Sequence, residues 1–143
     1  MAKLAECRNA SLKNRPNGLI KMSDSTASEL LQEWTSAVKS GDAKQVTSLY
    51  RDDGILLGTF SSKERVGHEL IHEYFENLLK SPVEVQIVSE NPHVFELSAV
   101  NTGHYNFVTG GKTINARFSF VYHKSDAGWK ITSHHSSVIP EAD

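Results

Sequence analysis

The sequence predicts an α+β domain, with helices first and a curved, mostly antiparallel sheet after them. Three observations carry this. Between Thr26 and Leu79 apolar residues recur every three or four positions, the period of a helix face. From Val83 to Val138 they recur every second position, the period of a strand. The turns in that second half are short, Gly110-Gly111 and Asp126-Ala127-Gly128, and short turns join antiparallel neighbours.

The first helix is expected from Thr26. Thr26-Ala27-Ser28-Glu29 has the form of a capping box, with a hydroxyl at the N-cap and Glu three residues on. Leu30, Leu31, Trp34, Ala37 and Val38 follow at helical spacing, and Gly41 suits the position just past the end. Asp42 can cap a short second helix carrying Val46, Leu49 and Tyr50. The run Ile55-Leu56-Leu57-Gly58-Thr59 reads as a short strand, and Lys63 to Leu79 as a third helix ended by Pro82. Four strands of a meander are expected after it. They are marked by Val83-Val85-Ile87, Phe95-Leu97-Ala99 running on to Tyr105-Phe107, Ala116-Phe118-Phe120-Tyr122, and Trp129 to Val138. Helices followed by a meander make an α+β fold.

At 143 residues the chain suits one domain of roughly 100–200 residues. Hydrophobic residues at 38% and charged residues at 22% are ordinary for a globular protein. The net charge is −2, with no clustered Lys and Arg to form a nucleic-acid footprint or to draw the chain to an anionic membrane. A single cysteine, Cys7, leaves no intramolecular disulfide and no thiolate metal set. No apolar run approaches the about 18 residues of a membrane span, and Lys3, Glu6, Arg8 and Lys13 interrupt any signal-like stretch. A cytoplasmic location is expected. Residues 1–24 read as a flexible, basic tail before a domain over 25–143. That tail is an extension, a partner-binding arm or a remnant of a targeting segment.

His68-Glu69-Leu70-Ile71-His72 matches H-E-x-x-H, in which two histidines one turn apart hold zinc and Glu polarises its water. The same two histidines also flank the apolar stripe of Ile71, Phe75 and Leu79, where half-exposed polar side chains are ordinary. No second motif half supplies a third ligand. No metal is expected here.

Ser133-His134-His135-Ser136-Ser137 is a polar pentad inside the last strand. Strict alternation puts Ser133, His135 and Ser137 on the face of Trp129 and Ile131, and His134 and Ser136 on the other. On that count His135 and Ser137 point inward, as part of a polar network or ligand site. Adjacent His and Ser on a strand face apart, so His135 does not activate Ser136. Arg117 lies on the face opposite Phe118 and Phe120; turned inward it would bind an anion.

Glu73-Tyr74-Phe75-Glu76-Asn77-Leu78-Leu79, then Asn91-Pro92-His93-Val94, then Gly128-Trp129-Lys130 leading into His135-x-Ser137 resemble the association domain of calcium/calmodulin-dependent kinase II. The resemblance runs from about Ala27 to Ile139 and implies a nuclear-transport-factor-2-like cone. Where that domain carries a pocket arginine in the penultimate strand, this chain has Phe120. A closer resemblance is to stand-alone relatives. The strand Ala116-Arg117-Phe118-Ser119-Phe120-Val121-Tyr122 followed by His134-His135-Ser136-Ser137 is similar to the signature of the iota-class carbonic anhydrases, some of which work without metal. The resemblance implies interconversion of carbon dioxide and bicarbonate with no cofactor. It matches the pocket threonine, tyrosine and serine to Thr59, Tyr74 and Ser137, with His135 as proton acceptor. Ser136, Phe75, Tyr105 and Arg117 complete the expected substrate-binding set. Two other readings stand beside it: a non-enzymatic hub-like or ligand-binding domain, and a cone-fold isomerase or cyclase. The latter usually places an Asp or His deep in its cavity. A cone leaves one sheet face to be covered, so a homodimer is expected.

Overall fold

The computed structural model describes residues 22–141. Helix α1 spans Met22–Ser40 and α2 spans Ala43–Thr47. Strands β1 (Tyr50–Leu57) and β2 (Glu64–Val66) precede α3 (His68–Leu78). Four long strands then follow: β3 (Glu84–Val94), β4 (Ser98–Thr109), β5 (Lys112–Ser125) and β6 (Gly128–Val138). All six strands form one sheet in the order β2-β1-β6-β5-β4-β3. Every pairing is antiparallel except β1 with β6.

The core lies between the helices and one sheet face. Helix α1 buries Ala27, Leu31, Trp34, Ala37 and Val38, the expected stripe at 3.6-residue spacing. Helix α3 buries Ile71, Tyr74 and Phe75. The sheet answers with Tyr105 and Phe107 from β4 and with Ala116, Phe118, Phe120 and Tyr122 from β5. Apolar area of this kind contributes roughly 25 cal/mol per Å² removed from water.

The helices-then-meander order agrees with the sequence, and its edges differ. Helix α1 begins at Met22 rather than Thr26. Nothing in Met22-Ser23-Asp24-Ser25 breaks a helix, and Asp24 in the first turn suits the positive end of the dipole, so the capping box lies inside. The tail expected over 1–24 falls largely outside the described residues. Asp42 does cap α2, its carboxylate accepting from the Lys44 and Gln45 amides at 2.9 and 3.3 Å. Tyr50, expected in α2, opens β1 instead. The third helix starts at His68 and not Lys63, because Gly67 holds φ at 93°, a conformation for glycine. The residues before it form β2, which pairs with β1 through Ile55↔Val66 and Leu57↔Glu64. Phe95 and Leu97 sit in the β3–β4 turn and are exposed.

Two bulges matter for function. In β3 the register steps between Ile87 and Ser89, leaving Val88 unpaired. In β6 Ile131 pairs with Tyr122 while Ser133 pairs with Val121. Thr132 is therefore one residue in excess. An inserted residue turns every following side chain to the other face.

Candidate functional site

The bulge at Thr132 decides which half of the polar pentad faces the core. His134 is 2% exposed and Ser136 5% exposed, while His135 is exposed. The inward orientation expected for His135 and Ser137 is thus corrected: one extra residue after Ile131 shifts the alternation by one. Arg117 remains on the outer face with them. His104 and Arg117 pair across β4 and β5, as do Arg117 and Ser137 across β5 and β6. With Ser89, Asn91 and His135 they line an open hollow of about 480 Å³ on the far side of the sheet.

Inward, a continuous line of hydrogen bonds crosses the core. Trp34 Nε1–H donates to Tyr50 Oη at 3.1 Å. Tyr50 Oη lies 2.8 Å from His134 Nδ1, and Tyr105 Oη lies 3.1 Å from His134 Nε2. Tyr105 O–H donates to Ser136 Oγ at 2.6 Å. Ser136 Oγ is in turn hydrogen-bonded to Thr59 Oγ1. The imidazole is stacked on Phe120 at 3.8 Å between ring centres and lies nearly perpendicular to the Trp34 ring, 5.2 Å between centres.

This packing sets the protonation of every member. Burial, helped by the neighbouring His135 charge, pulls His134 down to about 3, so the imidazole is neutral across the physiological range. Burial raises the Tyr50 and Tyr105 hydroxyls well above their ordinary value. It pushes Tyr74 up to about 12, against smaller opposing pulls from the Phe60 amide and the Arg65 charge. All are neutral hydrogen-bonding groups.

Trp34, Gly58, Tyr74, Tyr105, His134 and Ser136 border a narrow cavity of about 10 Å³, about the size at which one water fits. Tyr74 Oη accepts the Phe60 backbone N–H at 3.3 Å. Gly58 leaves room for the Tyr74 side chain, since a Cβ at that position would lie 2.4 Å from the ring and displace it. Tyr74 and Leu78 also border an outer hollow of about 250 Å³ with Phe60, Ser61, Arg65 and Asn77. Arg65 is 7% exposed. Its guanidinium donates to Glu73 at 2.6 Å, to the Leu70 carbonyl at 3.1 Å and to Ser61 at 3.2 Å. It lies 5.8 Å from the Tyr74 ring centre.

Of the residues singled out in the sequence, Tyr74, Phe75, Tyr105 and Ser136 border the inner cavity, Thr59 joins them through Ser136, and His135, Ser137 and Arg117 lie elsewhere. His134, Trp34 and Tyr50 are the members that sequence reasoning missed. A buried Trp-Tyr-His line spread over three elements has no sequence signature. The H-E-x-x-H histidines are engaged locally. His68 Nε2–H donates to the Tyr50 carbonyl at 2.7 Å, and His72 Nδ1 lies 3.9 Å from Glu76. Among the described residues no three His, Cys, Asp or Glu side chains converge as metal ligands. No described helix is long and apolar enough to cross a membrane.

The SnoaL-like domain model matches residues 27–141. The chain belongs to the SnoaL-like domain family. A crystal structure from Xanthomonas campestris, described as a calcium/calmodulin dependent protein kinase II association domain, is 36% identical. The match covers 82% of this chain and 88% of that one, with a TM-score of 0.77. A protein from Streptomyces avermitilis described as a dehydratase of the NTF2-like family is 15% identical over 82% of this chain and 96% of that one, TM-score 0.74. One from Parabacteroides distasonis described as a ketosteroid isomerase is 21% identical over 82% and 90%, TM-score 0.68. At those last identities the likeness is one of fold, and the fold is the NTF2-like cone.

Proposed function

We propose that this SnoaL-like protein is a carbonic anhydrase of the iota class, interconverting carbon dioxide and bicarbonate without a metal. The observation that carries the reading is a one-water cavity bordered by hydroxyls, with no carboxylate on its wall. Tyr74 and Thr59, the latter held by Ser136, supply donors that favour hydroxide over water, as hydrogen bonding to a charged form does. Carbon dioxide approaches from the outer hollow, where Phe60 and Leu78 offer an apolar wall and Asn77 a polar one. Hydroxide oxygen bonds to carbon, one C=O electron pair moves onto oxygen, and the same donors receive the bicarbonate charge. The proton of the original water leaves to solvent or buffer. His134 is not its acceptor, since an imidazole pulled down to about 3 is too weak a base near neutrality.

A non-enzymatic hub-like oligomerisation or small-ligand-binding domain is the second reading, its hub-like form favoured by the 36% identity to the Xanthomonas protein described as an association domain. A cone-fold isomerase or dehydratase is the third reading, supported by the likeness of fold to the Streptomyces and Parabacteroides proteins; such a reaction calls for an acid–base group facing its substrate. Mass-spectrometric exchange of ¹⁸O between labelled carbon dioxide and water, with and without a strong chelator, tests the proposal. Catalysed label loss unaffected by chelator is expected. Exchange no faster than background returns the ligand-binding reading, and exchange abolished by chelator points to a metal.

A further inference from the structure

The buried hydrogen-bond line has only one proton order in which every group is used. Trp34 Nε1 is a donor and nothing else, so Tyr50 Oη accepts from it. Among the described residues the other partner of the Tyr50 hydroxyl is His134 Nδ1. If Nδ1 carried the proton, Tyr50 oxygen would accept twice and its own proton would face a fully buried core with no acceptor, which proteins avoid. Tyr50 O–H therefore donates to Nδ1, and neutral His134 carries its proton on Nε2. That proton goes to Tyr105 oxygen, leaving the Tyr105 O–H to donate to Ser136. Ser136 O–H then donates to Thr59, and the Thr59 proton is the open end. Tyr74 oxygen already accepts the Phe60 amide, so its proton too is free to donate.

We infer that Trp34 imposes this order from the closed end, so that Tyr74 on the cavity wall and Thr59 beside Ser136 offer protons to the unprotonated oxygens of a small oxyanion. Trp34 and Tyr50 are positioning residues. They touch no reacting atom, and act by keeping Tyr105, Ser136 and Thr59 pointed outward. The choice of bicarbonate as ligand rests on the proposed reaction, whereas the proton order stands on the donors and acceptors alone.

The test is long-range ¹H–¹⁵N correlation NMR of the full chain, with His134 assigned by substitution, together with titration of ¹³C-bicarbonate. In the wild type, Nδ1 is expected in the unprotonated range and Nε2 in the protonated range. Trp34→Phe and Tyr50→Phe should mix the tautomers and weaken bicarbonate roughly three- to tenfold, the scale of one neutral hydrogen bond. Tyr50→Phe serves if the smaller ring at position 34 fails to fold, and the wild-type spectrum needs no variant. A proton on Nδ1 in the wild type overturns the inference. So does wild-type protein that takes up no bicarbonate, or affinity unchanged in both variants. Bicarbonate binding with the expected tautomer but no ¹⁸O exchange would sink the reaction and leave the outward proton order standing.

Discussion

His134 is neutral because it is buried, and that has a thermodynamic consequence at the level of one residue. Its folded value is pulled from 6.5 down to about 3, so below pH 6.5 the unfolded chain binds a proton that the folded chain refuses. Stability therefore falls as pH drops through the window from 6.5 toward 3, and this contribution is constant above it. The slope from one such group is about 1.4 kcal/mol per pH unit. Thermal melts of the wild type from pH 7 to pH 4 should show it. A His134→Gln variant, less stable at pH 7, should give a shallower slope; parallel slopes would contradict the buried neutral imidazole. Thr59 and Tyr74 were available as candidates through the resemblance to the iota-class carbonic anhydrases, with Phe75, Tyr105 and Ser136 completing the expected set. The sequence pointed to His135 and Ser137 in place of His134, since an alternation count carries no sign of the residue that breaks it.

At the scale of elements, the surprises are concentrated where backbone irregularity outweighs pattern. The faces of α1 and α3 and the alternation of β4 and β5 were readable because side-chain period alone sets them. The bulge at Thr132 was not, having no Gly, Pro or Asn to mark it. Nor was β2, three residues long, which exists because Gly67 stops the helix short and the preceding residues pair with β1. Close approaches fixed two glycines. A Cβ on Gly103 would sit 2.1 Å from the Ser89 carbonyl oxygen, which is how the bulged β3 bends against β4. The three atoms nearest a Cβ on Gly58 all belong to the Tyr74 side chain, the closest at 2.4 Å, and a side chain can move aside. Gly58→Ala should therefore fold, lose about 1–2 kcal/mol to overpacking, and lose hydration activity as the Tyr74 hydroxyl is displaced. Denaturant melts alongside ¹⁸O exchange separate the two effects, and full activity would show that Tyr74 is not part of the site.

For the whole molecule, the arrangement depends on contacts that are distant in sequence. Parallel pairing of β1 with β6 sets Leu56 beside His134 and carries the chain on to Thr59, whose hydroxyl meets Ser136. Helix α1 supplies Trp34 from the opposite side. The sequence implied the layers and not this crossover, because register between strands some 80 positions apart follows from the sheet as a whole. The central claim is that the reacting cavity lies on the His134–Ser136 face and not on the His135–Ser137 face. Stopped-flow hydration of carbon dioxide by Ser136→Ala and Ser137→Ala tests it most directly. The account predicts that Ser136→Ala loses at least about tenfold, the order lost with one positioned donor, and that Ser137→Ala stays within about twofold, as expected for the opposite face. Loss with Ser137→Ala and retention with Ser136→Ala would contradict it.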